Sequence, residues 1–146
     1  ELKAYDTIII HRHSKPDGDA LGSQIGLKHI LRENFPEKTV YAVGDDPRFF
    51  GFIEGAVMDQ IPDSAYEGAL AVILDCGAPA LISDSRYTLA ERTVRFDHHI
   101  FCGTIADVEV IDTSFESCFL LSSVRAGKTR RMILPSFWGL MPISEA

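Results

Sequence analysis

The sequence predicts an α/β domain built on a doubly wound, mainly parallel sheet with flanking helices, of Rossmann-like type. Three observations carry that prediction. Short apolar runs alternate with a helical pattern and turn-rich stretches, the order expected of βαβ units. The most apolar run, Leu70–Leu74, is continuous rather than alternating, as burial on both faces requires. Three of the runs end in carboxylates and imidazoles: Thr7-Ile8-Ile9-Ile10 before His11, His13, Asp17 and Asp19; Leu70–Leu74 before Asp75; and Thr93-Val94-Arg95-Phe96 before Asp97-His98-His99. Open α/β sheets bind ligands at the carboxyl edge of their strands, so this topology would gather the three clusters.

Taken in order, Asp6–His11 reads as the first strand and 12–18 as a polar loop containing Pro16 and Gly18. Asp19–Glu33 reads as a helix, with Leu21, Ile25, Leu27, Ile30 and Leu31 at three-and-four spacing and Pro36 beyond its end. Gly22 and Gly26 lie four apart on it, and each glycine weakens a helix interior by about 0.8–1 kcal/mol. Close approach of the helix to the sheet, or of its N-terminus to a ligand, would account for them. Thr39–Val43 is a second strand, and Gly44-Asp45-Asp46-Pro47 a turn. Phe49–Gln60 fits no single pattern, with helix at Phe49–Phe52 one option; its three phenylalanines read as core and rim. Leu70–Leu74 is a strand, Ala80–Glu91 holds a short helix or turn pair, and Val94–Phe96 is a strand. Weakly alternating Ala106–Ile111 fits an edge strand.

A chain of 146 residues suffices for one domain with a real core. No apolar stretch approaches the roughly 18 residues of a membrane span, and Glu1-Leu2-Lys3 has neither half of a secretory signal. The absent initiator Met suggests a trimmed start. Cys76, Cys102 and Cys118 form an odd, widely spaced set, read as reduced thiols of a cytoplasmic protein. The net charge of −7 divides unevenly, −10 over residues 1–121 and +3 over 122–146. An acidic body argues against long duplex nucleic acid as a partner. It leaves room for a small anionic substrate drawn to bound metal, whose charge reverses the sign of a site.

The H-x3-D-x-D pattern of His13, Asp17 and Asp19 sits between a strand and a helix, where one loop can turn all three toward a common point. Carboxylate with imidazole suits Mn2+, Fe2+ or Zn2+. Pro16 and Gly18 would fix and then free the backbone between ligands. The alternative is a polar loop with Asp19 capping the helix. A carboxylate such as Asp75 at a buried strand end needs a cation or hydrogen bonds; its alternative is acceptance of N–H groups from the Cys76-Gly77-Ala78 turn. In Asp97-His98-His99, adjacent histidines are expected to point in different directions, one as ligand and one toward substrate, with Asp97 setting an imidazole tautomer. His29 reads as a solvated helix residue. Arg125, Lys128, Arg130 and Arg131 read as a solvated basic tail.

HRHSKPDGDALGS at 11–23, ILDCGAP at 73–79 and FDHHI at 96–100 resemble the first three motifs of the DHH phosphoesterases, nearest the bacterial oligoribonuclease and phosphoadenosine-phosphate (pAp) phosphatase branch. The resemblance covers roughly residues 5–118. It implies a hydrolase using two divalent ions, usually Mn2+, to activate water against a phosphoester. By motif position His13 and Asp17 would hold one ion, Asp19 and His98 the other, and Asp75 would bridge them. His99 would contact the scissile phosphate and assist proton transfer, with Asp97 behind it and His11 near substrate. Substrates would be short oligonucleotides or 3′-phosphonucleotides, and a homodimer is admitted. The alternatives are an inorganic pyrophosphatase, a cyclic-dinucleotide phosphodiesterase, or a non-catalytic nucleotide- or metal-binding remnant.

Two departures stand against the family pattern. A further metal-binding aspartate belongs well downstream, yet residues 113–146 contain no Asp, and Glu116 and Glu145 match no motif. The family's second, substrate-binding domain is also absent from these 146 residues. The expected organisation is therefore an incomplete catalytic domain over 1–118 and an atypical segment over 119–146, either foreign or peripheral to it, the change falling near Cys118–Phe119. Turnover by the chain as it stands is expected to be impaired.

Overall fold

The computed structural model describes residues 1–118 and Leu121. Five strands, β1 (Thr7–Arg12), β2 (Thr39–Ala42), β3 (Leu70–Leu74), β4 (Arg92–Asp97) and β5 (Val108–Ile111), form one sheet in the order β2-β1-β3-β4-β5. Every pairing is parallel, in agreement with the predicted α/β class. The chain first steps from β1 outward to β2, then crosses back to β3 and continues the other way. Connections therefore part above the β1/β3 border, which opens a crevice at the carboxyl edge.

α1 (Gly18–Asn34) crosses from β1 to β2. Its N-cap is Asp17, not Asp19: the Asp17 Oδ1 accepts the Asp19 and Ala20 N–H groups, each at 3.0 Å. At the other end the Phe35 N–H returns to the Leu31 carbonyl, and Pro36 follows. Strand alternation sends Ile8 and Ile10 into the cluster of Leu27, Leu31, Val72, Leu74, Val94 and Phe96, with Cys118 and Leu121 packed at its edge. Ile9 faces the opposite way, toward Val43, Tyr66 and Ala69.

That second face is covered by 3₁₀ turns at Asp63–Tyr66, Pro79–Leu81 and Ser85–Leu89 rather than by a long helix. α1 is the one α-helix described from end to end, and among the described residues no helix is long and apolar enough to cross a membrane. The ambiguous 49–60 stretch begins with a 3₁₀ turn, Arg48–Phe50, and continues irregularly. Phe50 packs toward Leu21, Ile25 and Met58, whereas Phe49 and Phe52 are exposed, so the three are not a common core.

Two expectations about glycine change. Gly22 is exposed, and a Cβ there would meet nothing within 4 Å, so close helix packing does not explain it. In the loop before α1 the left-handed residue is Lys15 (φ 51°), not Gly18. Cys76, Cys102 and Cys118 are free thiols. The expected atypical segment 119–146, with its basic residues, lies outside the described residues apart from Leu121.

Candidate metal centre

The loops after β1, β3 and β4 bring their polar side chains together above the crevice. The His13 Nε2 lies 3.9 Å from Asp17 Oδ1 and 3.8 Å from Asp75 Oδ2. From the other side the His98 Nε2 lies 3.3 Å from Asp19 Oδ2 and 3.4 Å from Asp75 Oδ1. Among the described residues, two groups have their ligand atoms all within 4.8 Å: His13, Asp17 and Asp75, and Asp75, His98 and His99. Asp75 belongs to both. Asp19 joins the second through His98, while its carboxylate also accepts the Ser23 hydroxyl (3.3 Å) and the Cys118 N–H (2.9 Å).

Asp75 sits immediately past β3 with φ 53° and is almost wholly buried. Its Oδ1 has no hydrogen-bond partner, so the alternative of a carboxylate satisfied by the following turn does not hold for that oxygen. Burial, then the charges of Asp19 and Asp17, push its pKa up to about 6 against the opposing pull of His99 and His13. A buried, orphaned carboxylate oxygen between imidazoles and other carboxylates is the donor set a divalent cation satisfies. The residues present therefore fit the metal ions implied by the resemblance. His13 is arranged to suit: its Nδ1 lies 2.8 Å from the Ser14 carbonyl, and donation there leaves the Nε2 lone pair facing the carboxylates.

His98 and His99 do not diverge as adjacent strand residues would. Their ring centroids are 4.5 Å apart, and the His99 Nδ1 comes within 3.5 Å of the same Asp75 oxygen that His98 approaches. The reason is local: both lie beyond β4, where Asp97 Oδ1 accepts the His99 N–H at 3.2 Å and bends the backbone. The same oxygen is 2.8 Å from His99 Nδ1, and this contact raises the imidazole pKa. Asp97 itself is fully buried, its Oδ2 accepting from Arg95 Nη2 at 2.6 Å. Burial would raise the Asp97 pKa, but the bonds from Arg95 and His99 hold it below the usual range. Arg95, also fully buried, is tied further to the Gly103 carbonyl (3.1 Å) and to Glu109 (3.3 Å).

His11 does not join the cluster. It is fully buried, with its ring against Tyr66 and Tyr87 and its Nε2 3.3 Å from the Tyr66 hydroxyl. Burial lowers its pKa to about 4, so the imidazole is neutral at physiological pH. Arg95, which holds Asp97, and Arg12, fully buried behind His13, are structural partners of the site that sequence reading passed over. The only signal was a cation inside or at the end of an apolar strand.

Residues 7–128 match the family model described as "DHH family, N-terminal domain". The chain is 44% identical over 117 residues to the "Probable bifunctional oligoribonuclease and PAP phosphatase NrnA" of Streptococcus mutans, covering 80% of this chain and 37% of that protein. It is 40% identical over 116 residues to the "Bifunctional oligoribonuclease and PAP phosphatase NrnA" of Bacillus subtilis, covering 80% and 36%. A crystal structure of an exopolyphosphatase-related protein from Bacteroides fragilis superposes with a TM-score of 0.73 at 25% identity, over 86% of this chain and 41% of that one. The chain thus spans about a third of the length of the curated relatives it matches.

Proposed function

The chain belongs to the DHH family, and from that premise we propose that it carries the metal-binding catalytic half of a phosphoesterase acting on short oligonucleotides or 3′-phosphonucleotides such as pAp. Asp75 is the observation that carries this reading: one buried, incompletely satisfied carboxylate shared by two groups of candidate ligands. In this reading His13 and Asp17 would hold one divalent ion, Asp19 and His98 would hold a second, and Asp75 would serve both; manganese is our choice of metal. Two such ions would supply a water of lowered pKa and positive charge for the attacking and leaving oxygens.

The chain's own residues do the rest. His99, exposed and adjoining Asp75, meets the scissile phosphate. Its Nδ1 bond to Asp97 holds the ring, leaving Nε2 to donate a hydrogen bond or move a proton at a phosphate oxygen. Asp97 acts through His99 and touches no substrate. His11 is given no substrate contact, because no part of it is accessible. The names borne by the Streptococcus and Bacillus relatives favour this substrate class over pyrophosphate or cyclic dinucleotides.

The test is metal content together with hydrolysis of pAp and of a two-to-five-nucleotide RNA, with and without Asp75→Ala. Weak metal-dependent release of phosphate or mononucleotide, impaired by the lack of a downstream aspartate and lost in Asp75→Ala, is the expected result. Metal bound without turnover would favour the binding-module alternative, and turnover untouched by Asp75→Ala would overturn the site.

A further inference from the structure

We propose that Asp45, in the turn after β2, is a positioning residue for the half-site of His13 and Asp17, holding the ligand loop through Arg12 and the Lys15 amide. This rests on the metal-centre reading above. The Asp45 side chain ties together three separate pieces of chain. Its Oδ1 accepts from Arg12 Nη1 at 2.6 Å and from the Ser83 hydroxyl at 2.8 Å, and its Oδ2 accepts the Lys15 N–H at 2.9 Å. Its own N–H donates to Ser83 Oγ (2.7 Å), and its carbonyl accepts from Arg12 Nη2 (2.6 Å).

The loop is pinned at each residue between β1 and Pro16. The His13 carbonyl accepts from Arg12 Nη1 at 3.0 Å, and the Ser14 N–H donates to the Leu81 carbonyl at 2.7 Å. The Lys15 N–H reaches Asp45, in a left-handed conformation that a non-glycine residue adopts at a cost. Two of these three pins run through Asp45, one directly and one through Arg12. Arg12 has no accessible side-chain surface, and its remaining donor, Nε, is taken by Gln24 Oε1 at 3.0 Å. Gly44 makes room for it, since a Cβ there would stand 3.2 Å from Arg12 Cζ. Among the described residues Asp45 is the carboxylate paired with this buried guanidinium, which depends on it, and the loop it carries begins at one ligand, His13, and ends at the other, Asp17.

Asp45→Asn tests this by calorimetric and EPR titration of the metal-depleted full chain with Mn2+. Asparagine sets a donor against either the Lys15 N–H or Arg12 and removes the counter-charge. Affinity at one half-site should fall about 10–100-fold, the range for residues that orient metal ligands. The altered titration should match that of Asp17→Ala and differ from that of Asp19→Ala. Ser83→Ala, which keeps the ion pair, should shift the same half-site by a few-fold and carries the test if Asp45→Asn does not fold. A merely structural role would lower the thermal midpoint of metal-depleted protein while both affinities stay at wild-type values, or fall together, and either result overturns the proposal. If Asp75→Ala also leaves Mn2+ binding unchanged, the metal-centre reading itself has failed; if Asp75→Ala abolishes binding, only the role of Asp45 is rejected.

Discussion

Asp45 follows β2 and Asp75 follows β3, two carboxylates at one edge of the sheet on either side of β1. Arg12, at the end of β1, turns to Asp45. Against the opposing effect of burial, hydrogen bonds from Lys15, Arg12 and Ser83 bring the Asp45 pKa down to about 2. For Asp75, burial and the charges of Asp19 and Asp17 outweigh the pull of His99 and His13, and its pKa rises to about 6. On the far side of β3 the second buried arginine, Arg95, is likewise committed, to Asp97 and Glu109. Two strand cations thus flank Asp75, and each is held by a carboxylate of its own. The chain satisfies the charges that position the ligands and leaves the charge of the ligands for an ion to satisfy.

Removing the unsatisfied member should have the largest effect. Asp75→Ala deletes the shared ligand, and loss of several kcal/mol of metal-borne transition-state stabilisation corresponds to a drop in kcat/KM of about a thousandfold or more. Steady-state hydrolysis of pAp checks it, while the metal-free fold should tolerate the change. Breaking a satisfied pair should do the reverse. Asp97→Asn strips the fully buried Arg95 of its nearest counter-charge and should cost about 3–5 kcal/mol in denaturant unfolding. It should also let the His99 pKa fall back toward its ordinary value, which proton NMR titration would show.

A third measurement sharpens the contrast through its sign. The native pKa of Asp75 lies above its unfolded value of 3.8, so folded protein keeps a proton that unfolded chain releases. This stabilisation is full below pH 3.8 and is lost as pH rises through about 6. Its size is on the order of 3 kcal/mol. Asp45, whose pKa is depressed, contributes in the opposite sense: its stabilisation is present above its unfolded pKa and is lost as pH falls toward about 2. Unfolding of metal-depleted protein between pH 4 and 6.5 should therefore lose its Asp75 component in Asp75→Asn. The smallest effect concerns the helix joining the two regions: Gly22→Ala, in open space, should stabilise by about 0.8–1 kcal/mol in the same assay.

The strands were legible because burial on both faces leaves continuous apolar runs, and Leu70–Leu74 matches the observed β3 end for end. The cluster was legible because parallel topology stacks strand ends. Its supports were hidden for a different reason. Arg12 and Asp45 are 33 residues apart, and nothing local marks Asp45 as more than a turn former before Pro47. The bend that aligns His98 with His99 likewise depends on the hydrogen bond that the His99 N–H donates to the Asp97 carboxylate, which strand alternation does not foresee. The cover of the second face escaped because short 3₁₀ turns have no periodicity to read.

Among the described residues, Lys15 and Asp75 are the two non-glycine positions with positive φ, and both serve the cluster. A library screened only for heat resistance in metal-free buffer should therefore enrich glycine or asparagine at 15 and 75, residues that take this conformation more readily. Selection for metal-dependent turnover should return aspartate at 75. The two screens would pull the same codon apart, and the distance between them would measure what the fold gives up to keep a ligand there.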